Sequence, residues 1–370
     1  MMFREFLRKY NLTMVLSLLF LPIASIVGIP LYIYYNGIVW QEPVMFLLFW
    51  FLAGTGITIG YHRLFAHKSF KTYPFIEWVV MLCGSMALQN SISKWCSDHR
   101  RHHRKLDTDE DPYSITEGFF HAHIGWILKN SDSVVEHVSD LQKKSAVKFQ
   151  DKHYWKISLF LSFVLPVLIG FLYGRPIGGL LWGGILRVTM VHHFTFFINS
   201  LCHYIGKKEY DLNTSAKDSW FMALFTFGEG YHNYHHKFEW DYRNGIKWYN
   251  FDPSKWVIKS LSIFNLAHSL RKASDYNIFK AKIETLNNKI NKLHVNIDSE
   301  YYKNRVSDIM DRAMVSLSKL KELEMQYRVL GRKDSRRYEY KQQIKAYKID
   351  LQKSLSALMV VFANIRAAIQ

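Results

Sequence analysis

The 370-residue chain is poor in cysteine and in acid. It has three cysteines, Cys83, Cys96 and Cys202, and no Cys-x-x-Cys pair. An odd, scattered set excludes a disulfide frame and a thiolate-rich zinc site, and reads as reduced thiols facing a cytosol. Asp and Glu number 31 against 48 Lys and Arg, a formal net charge of +17. A basic chain raises nucleic acid as a partner, but no nucleic-acid motif is present. The positive charge lies between and after long apolar blocks, which fits a membrane protein with cytosolic basic loops. No internal repeat is visible and the ionisable clusters sit at span ends, which argues against a transporter. A non-catalytic metal-binding membrane protein is the other alternative.

Four apolar stretches are expected to cross the bilayer, since about twenty residues suffice. They are 12–36, 43–60, 155–173 and 180–204. The first follows Arg4, Arg8 and Lys9 but is longer than a signal peptide core and shows no small-residue cleavage site. The linker 36–42 carries no Lys or Arg, and 174–179 carries only Arg175, so both are placed outside. The fourth stretch contains Arg187, His192, His193, Asn199 and His203, polar groups that face a protein interior when at membrane depth. Phe75 to Leu88 is apolar but short and carries Glu77, so it reads as an interfacial helix. Four spans put both termini and every histidine cluster on the cytosolic side.

The expected fold is all-α: four transmembrane helices, a cytosolic helical cap and a C-terminal helical hairpin. Residues 1–272 form the membrane domain and 273–370 the extension. The extension is rich in Lys, Glu, Leu, Ile and Asn and has no proline. The break Leu330-Gly-Arg-Lys-Asp-Ser335 reads as a helix stop with Asp334 or Ser335 capping a new helix.

The chemistry lies in the histidines. His232, His235 and His236 are spaced i, i+3, i+4, and so are His99, His102 and His103. On a helix each triplet shares one face, half of a metal site. His62 and His67 form a third cluster, and His203 follows Asn199 by four residues. Nine imidazoles exceed what one ion accepts, so two metals are expected. Soluble di-iron bundles use glutamates and a pair of Glu-x-x-His motifs, and that pair is missing, which favours a histidine-only centre. Asp98 is placed to orient a ligand histidine through its other ring nitrogen. The cations Arg100, Arg101, Arg104, Lys237 and Arg243 are placed to dock an acidic redox protein.

The order His-x4-His, His-x2-His-His, Asn-x3-His, His-x2-His-His resembles the membrane fatty-acyl desaturases, in particular the delta-9, stearoyl-CoA-desaturase-like branch. The segments that carry it are Gly60-Tyr-His-Arg-Leu-Phe-Ala-His67, Gln89-Asn90, Trp95, Asp98-His-Arg-Arg-His-His103, His123-Ile-Gly-Trp126, Asn199-Ser-Leu-Cys-His203 and Gly228-Glu-Gly-Tyr-His-Asn-Tyr-His-His236. The likeness covers about 10–272 and leaves the C-terminal helices outside.

The resemblance implies oxygen-dependent insertion of a cis double bond into a long saturated acyl chain. Two iron ions are implied, held by the nine histidines, with Asn199 as a weak or water-mediated ligand. A mid-chain methylene has no acidic proton, so a metal must supply the reactivity and the protein the placement. In the family the residues matching Gln89, Trp95 and Thr195 enclose a bend in the acyl tunnel. The residue matching Trp50 limits its depth, and Gly54 leaves room for the chain. Trp50 precedes His62 by twelve residues, about 18 Å on a helix. Asp98 joins this substrate-facing set. Ser97 stands where mammalian members carry an arginine facing CoA, and Ile127-Leu-Lys-Asn130 replaces a basic pair. Lys94, Arg100, Arg101 and Arg104 are the compensating cations for acyl-CoA; an acyl-lipid or acyl-carrier-protein substrate, or a related membrane hydroxylase, is the alternative. No His-Pro-Gly-Gly haem signature occurs, so a separate donor is implied: a ferredoxin, a flavoprotein-linked carrier or a small haem protein.

Overall fold

The computed structural model describes residues 9–130, 134–294, 300–331 and 333–369. They form two compact units: 1–206 with 214–272, and 273–370 with the short segment 207–213.

In the first unit three helices are long and apolar enough to cross a membrane: Leu12–Asn36, Gln41–Ala66 and Ser145–Leu172. Asn11 caps the first, its side chain accepting from Met14 N at 3.2 Å. Leu18, Leu21, Ser25 and Ile29 are buried along one stripe, while Phe20, Ile23, Ile26 and Leu31 are exposed. An apolar helix that leaves most of its surface uncovered is suited to lipid rather than water. At one end of the bundle the two stretches expected outside meet. Arg175 donates to the buried Glu42 at 2.8 Å, and Tyr32 donates to the same carboxylate at 3.0 Å.

A fourth helix, Gly179–Leu186 continuing as Arg187–Asn199, packs against these three. The expected interfacial stretch forms the helix Pro74–Ser85, with proline at its first turn and one face buried. It lies close against Gln41–Ala66, because Gly56 has no side chain; a Cβ there would sit 2.3 Å from Gly84 N.

Two expectations need correction. The fold is mostly helical rather than purely so: Lys71–Thr72 pairs antiparallel with Ala267–His268. The C-terminal unit is not a hairpin but three helices, Asp275–His294, Glu300–Val329 and Arg336–Ile369. Each packs on the other two around Ile283, Ile290, Ile309, Leu320, Leu351 and Leu358. Two helices leave apolar stripes uncovered that a third buries. At the start of the last helix Asp334 accepts from Arg336 N at 2.9 Å.

Candidate metal centre

The helix Gln41–Ala66 ends in a π-helical segment, Gly56–Ala66. Its last bond runs from His67 N to His62 O, at 3.0 Å. A five-residue closure brings two histidines five apart onto one side, which an α-helix would splay. The helix Ile92–Lys105 carries His99, His102 and His103; His232–Lys237 carries His232, His235 and His236; the short helix Leu201–Tyr204 carries His203.

These nine side chains converge as two sets. His62, His67, His99, His103 and His235 form one; His102, His203, His232 and His236 form the other. Within each set the ligand-capable atoms lie within 4.8 Å of one another. Neither triplet serves a single set, so each i, i+3, i+4 run straddles two sites. The i, i+4 pair His99 and His103 joins one set and His102 the other. The pair His232 and His236 does the converse with His235. The sets are adjacent: the rings of His103 and His236 stack at 4.4 Å.

Inside the sets, Nε2 atoms face one another at close range. His62 lies 3.0 Å from His235, His67 2.8 Å from His99, His235 3.0 Å from His103, and His203 3.0 Å from His232. Five of the opposite ring nitrogens lie close to oxygens. His62 Nδ1 is 3.1 Å from Glu229, His102 Nδ1 2.8 Å from Asp111, and His103 Nδ1 3.2 Å from Glu239. His99 Nδ1 is 3.3 Å from the Tyr113 hydroxyl and His203 Nδ1 2.6 Å from Ser215 Oγ. Carboxylates hold the ring proton on Nδ1 and leave lone pairs on Nε2. Lone pairs gathered in this way, without protons to share, fit cations between them. Among the described residues the buried His102 Nε2 has no hydrogen-bond partner, as expected of a ligand atom.

The electrostatics agree. Burial, then neighbouring imidazoles, holds His67, His99, His232, His235 and His236 well below the usual histidine range, and burial holds His103 at about 4 against the opposing pull of Glu239. These six imidazoles are therefore neutral, the form that binds a metal. Burial pushes the Glu229 carboxyl up, but His62 and Arg63 outweigh it and hold it below its ordinary value. Arg63 is buried between Glu229 and Asp252, 3.0 Å from each.

Asp98 does not take the expected orienting role. It pairs with Lys94 at 2.5 Å, while Asp111, Glu229 and Glu239 hold the histidines. The proposed docking cations are largely committed too. Arg100 binds Asp140 at 2.8 Å and Phe65 O at 2.8 Å, and Arg243 binds Asp241 at 2.8 Å.

A cavity of about 1270 Å³ opens beside the two sets. Its wall includes His62, His99, His102 and His232, together with Trp50, Gly54, Gln89, Trp95, Asp98, Thr195 and Asn199. Trp95 stacks on His99 at 4.8 Å, and Gln89 donates to Thr195 Oγ1 at 2.9 Å. Trp50 packs on Phe227 at 4.9 Å. The space beside Gly54 is filled rather than open: a Cβ there would lie 2.0 Å from the Phe227 ring. Phe227 was not singled out by sequence; it stands in the left-handed region, φ 54°, just before Gly228-Glu229.

The family model for fatty acid desaturases matches residues 5–264, which include all nine histidines. The chain is 40% identical over 268 residues to a probable acyl-CoA desaturase of Schizosaccharomyces pombe, covering 71% of this chain and 55% of that one. It is 36% identical over 288 residues to acyl-CoA desaturase 1 of Saccharomyces cerevisiae, covering 75% and 56%. It is 35% identical over 233 residues to an sn-1 stearoyl-lipid 9-desaturase of Anabaena variabilis, covering 62% and 84%. The chain spans about half the length of the two yeast relatives.

Proposed function

The chain belongs to the fatty acid desaturase family, and from that premise we propose that it introduces a cis double bond at the delta-9 position of a long-chain saturated acyl thioester, acyl-CoA. The observation that carries this reading is the pair of buried histidine sets beside one cavity of about 1270 Å³. The nine histidines would hold two iron ions, with Asn199 a weak or water-mediated ligand. When bound, that iron supplies activation of molecular oxygen and removal of hydrogen from unactivated carbon.

The chain's own residues supply placement. Trp95, stacked on His99, and the Gln89–Thr195 pair narrow the cavity beside the metal ligands and bend the acyl chain there. Trp50 and Phe227 close its far end. Apolar walls exclude water from the reacting carbons. Glu229, Asp111 and Glu239 keep the imidazoles aimed. Electrons come from a separate donor protein. The fourth helix completes a four-span, multi-pass fold, with the histidine sets on the cytosolic side where the basic loops lie.

An acyl-lipid substrate is the second reading, and one observation favours it. The cations Lys94 and Arg101 on the cavity wall are both paired with carboxylates, Asp98 and Glu136. A CoA headgroup needs uncommitted cations for its phosphates. Gas chromatography of membrane lipids from expressing cells, with double bonds mapped, tests the activity. An alcohol instead of an alkene would point to a hydroxylase. Turnover of purified protein on stearoyl-CoA against stearoyl-phospholipid separates the two substrates.

A further inference from the structure

We propose that Arg187 is a positioning residue that sets where along the acyl chain the double bond forms. It acts by holding the backbone turn from which Gln89 reaches the cavity. This rests on the desaturase reading of the site.

Arg187 is fully buried within the first unit, and among the described residues no carboxylate pairs with it. A guanidinium in such surroundings is costly and is kept where it does something. Its donors go to backbone carbonyls alone: Nε to Gly183 O at 3.0 Å, Nη2 to Ser162 O at 3.2 Å, and Nη1 to Met86 O. Met86 begins the turn between the helices Pro74–Ser85 and Ile92–Lys105.

That turn is unusual. Leu88 and Asn90 both stand in the left-handed region, φ 54° and 74°, although neither is glycine. Such a conformation persists only where surrounding contacts over-determine it. Here they do. Met86 O also accepts from Ser162 Oγ at 2.9 Å. Ala87 O meets His192 Nε2 at 2.8 Å, and Asn90 N donates to the Tyr154 hydroxyl at 2.9 Å.

Gln89 sits between the two left-handed residues and donates to Thr195 Oγ1 at 2.9 Å. Thus one helix, Arg187–Asn199, grips the turn at three points: Arg187, His192 and Thr195. Gln89 and Thr195 line the cavity; Arg187 does not touch it. Arg187 fixes the height of the turn on that helix, and the turn fixes the height of the bend relative to the histidines. If the turn slides, the carbon presented to the metal centre changes. A residue that only stabilised the fold would alter yield but not the position of the bond.

The test is product regiochemistry. Arg187→Met, Arg187→Lys and the milder Ser162→Ala are expressed beside the wild type. Double-bond positions are mapped by fragmentation, and bound metal and yield of intact protein are measured in parallel. The expected result for Arg187→Met is retained metal with at least a tenfold rise in the fraction of misplaced double bonds. Lysine should restore much of the wild-type pattern. Should Arg187→Met fail to accumulate, Ser162→Ala, which also lies off the cavity wall, carries the same readout, and a shifted isomer mixture in it supports the proposal. Variants that make less product but the same single isomer overturn it. Wild-type protein that makes no alkene would instead overturn the desaturase reading.

Discussion

The proposed closure of the cavity by Trp50 offers a quantitative test through Trp50→Ala. On the proposed reading the indole closes the cavity, packed on Phe227, 4.9 Å away, and Phe194, 6.1 Å away. Removing it opens space in line with the methyl end of a bent acyl chain. Each further buried methylene is worth about 0.8 kcal/mol. Going from an 18- to a 20-carbon substrate adds two, or roughly 1.6 kcal/mol, about fifteenfold in relative kcat/KM. The assay is turnover of a saturated acyl series by purified protein, read as the ratio of 20- to 18-carbon kcat/KM. The double bond should stay at the same distance from the carboxyl end, because the bend is unchanged. Phe227→Ala should move the ratio the same way. Gly54→Ala should move it the other way, since its Cβ would meet the Phe227 ring at 2.0 Å and drive that ring into the cavity. Adding Phe227→Ala to Gly54→Ala should relieve the block. An unchanged ratio in both Trp50→Ala and Phe227→Ala would refute the reasoning and leave Trp50 as an aromatic anchor.

Three further outcomes are expected. His235→Ala and His102→Ala should each lower bound metal from two ions toward one per chain and abolish turnover, while membrane insertion persists; elemental analysis showing the full complement in both would contradict the two-set assignment. Glu229→Gln should weaken metal retention about 10–100-fold, the usual cost of losing a partner that orients a ligand histidine, measured by competition with a chelator; equal retention would make that carboxylate merely structural. His123 is pushed down to about 4, first by burial and then by His193, so it is neutral in the folded protein, whereas an unfolded histidine takes up its proton near 6.5. The unfolded state therefore binds more protons between these values, and stability must fall as pH drops from about 6.5 to 4. His123→Gln should flatten the dependence of Tm on pH in that window, and an identical slope in the variant would show that other groups control it.

Spacing made the site's membership legible, because ligand histidines cluster in sequence where short helices carry them. It did not reveal the partition. His99, His102 and His103 read as one helical face, yet His102 belongs to a different set from its neighbours. Two helices that each touch both sets share the ligands between them. The orienting carboxylates were hidden for a related reason. Asp98 is the neighbour of His99 in sequence, but His102, His62 and His103 are served by Asp111, Glu229 and Glu239. A hydrogen bond to the far ring nitrogen depends on what packs behind the ring, and that is set by the fold. In the C-terminal unit the break at 330–335 announced itself through Gly331 and Asp334.

What the sequence determined by itself is what local periodicity and composition carry: apolar helices long enough for a bilayer, basic connections and histidines at ligand spacing. These depend only on neighbours along the chain. Tertiary structure alone decided the rest. It brought Phe227 across to fill the space left by Gly54, and set Arg187 beneath the turn that carries Gln89. It also drew nine imidazoles from four helical segments into two adjacent sets. Each of those pairings joins residues far apart in the chain. Their distances follow from how whole helices pack, which no run of neighbouring residues encodes.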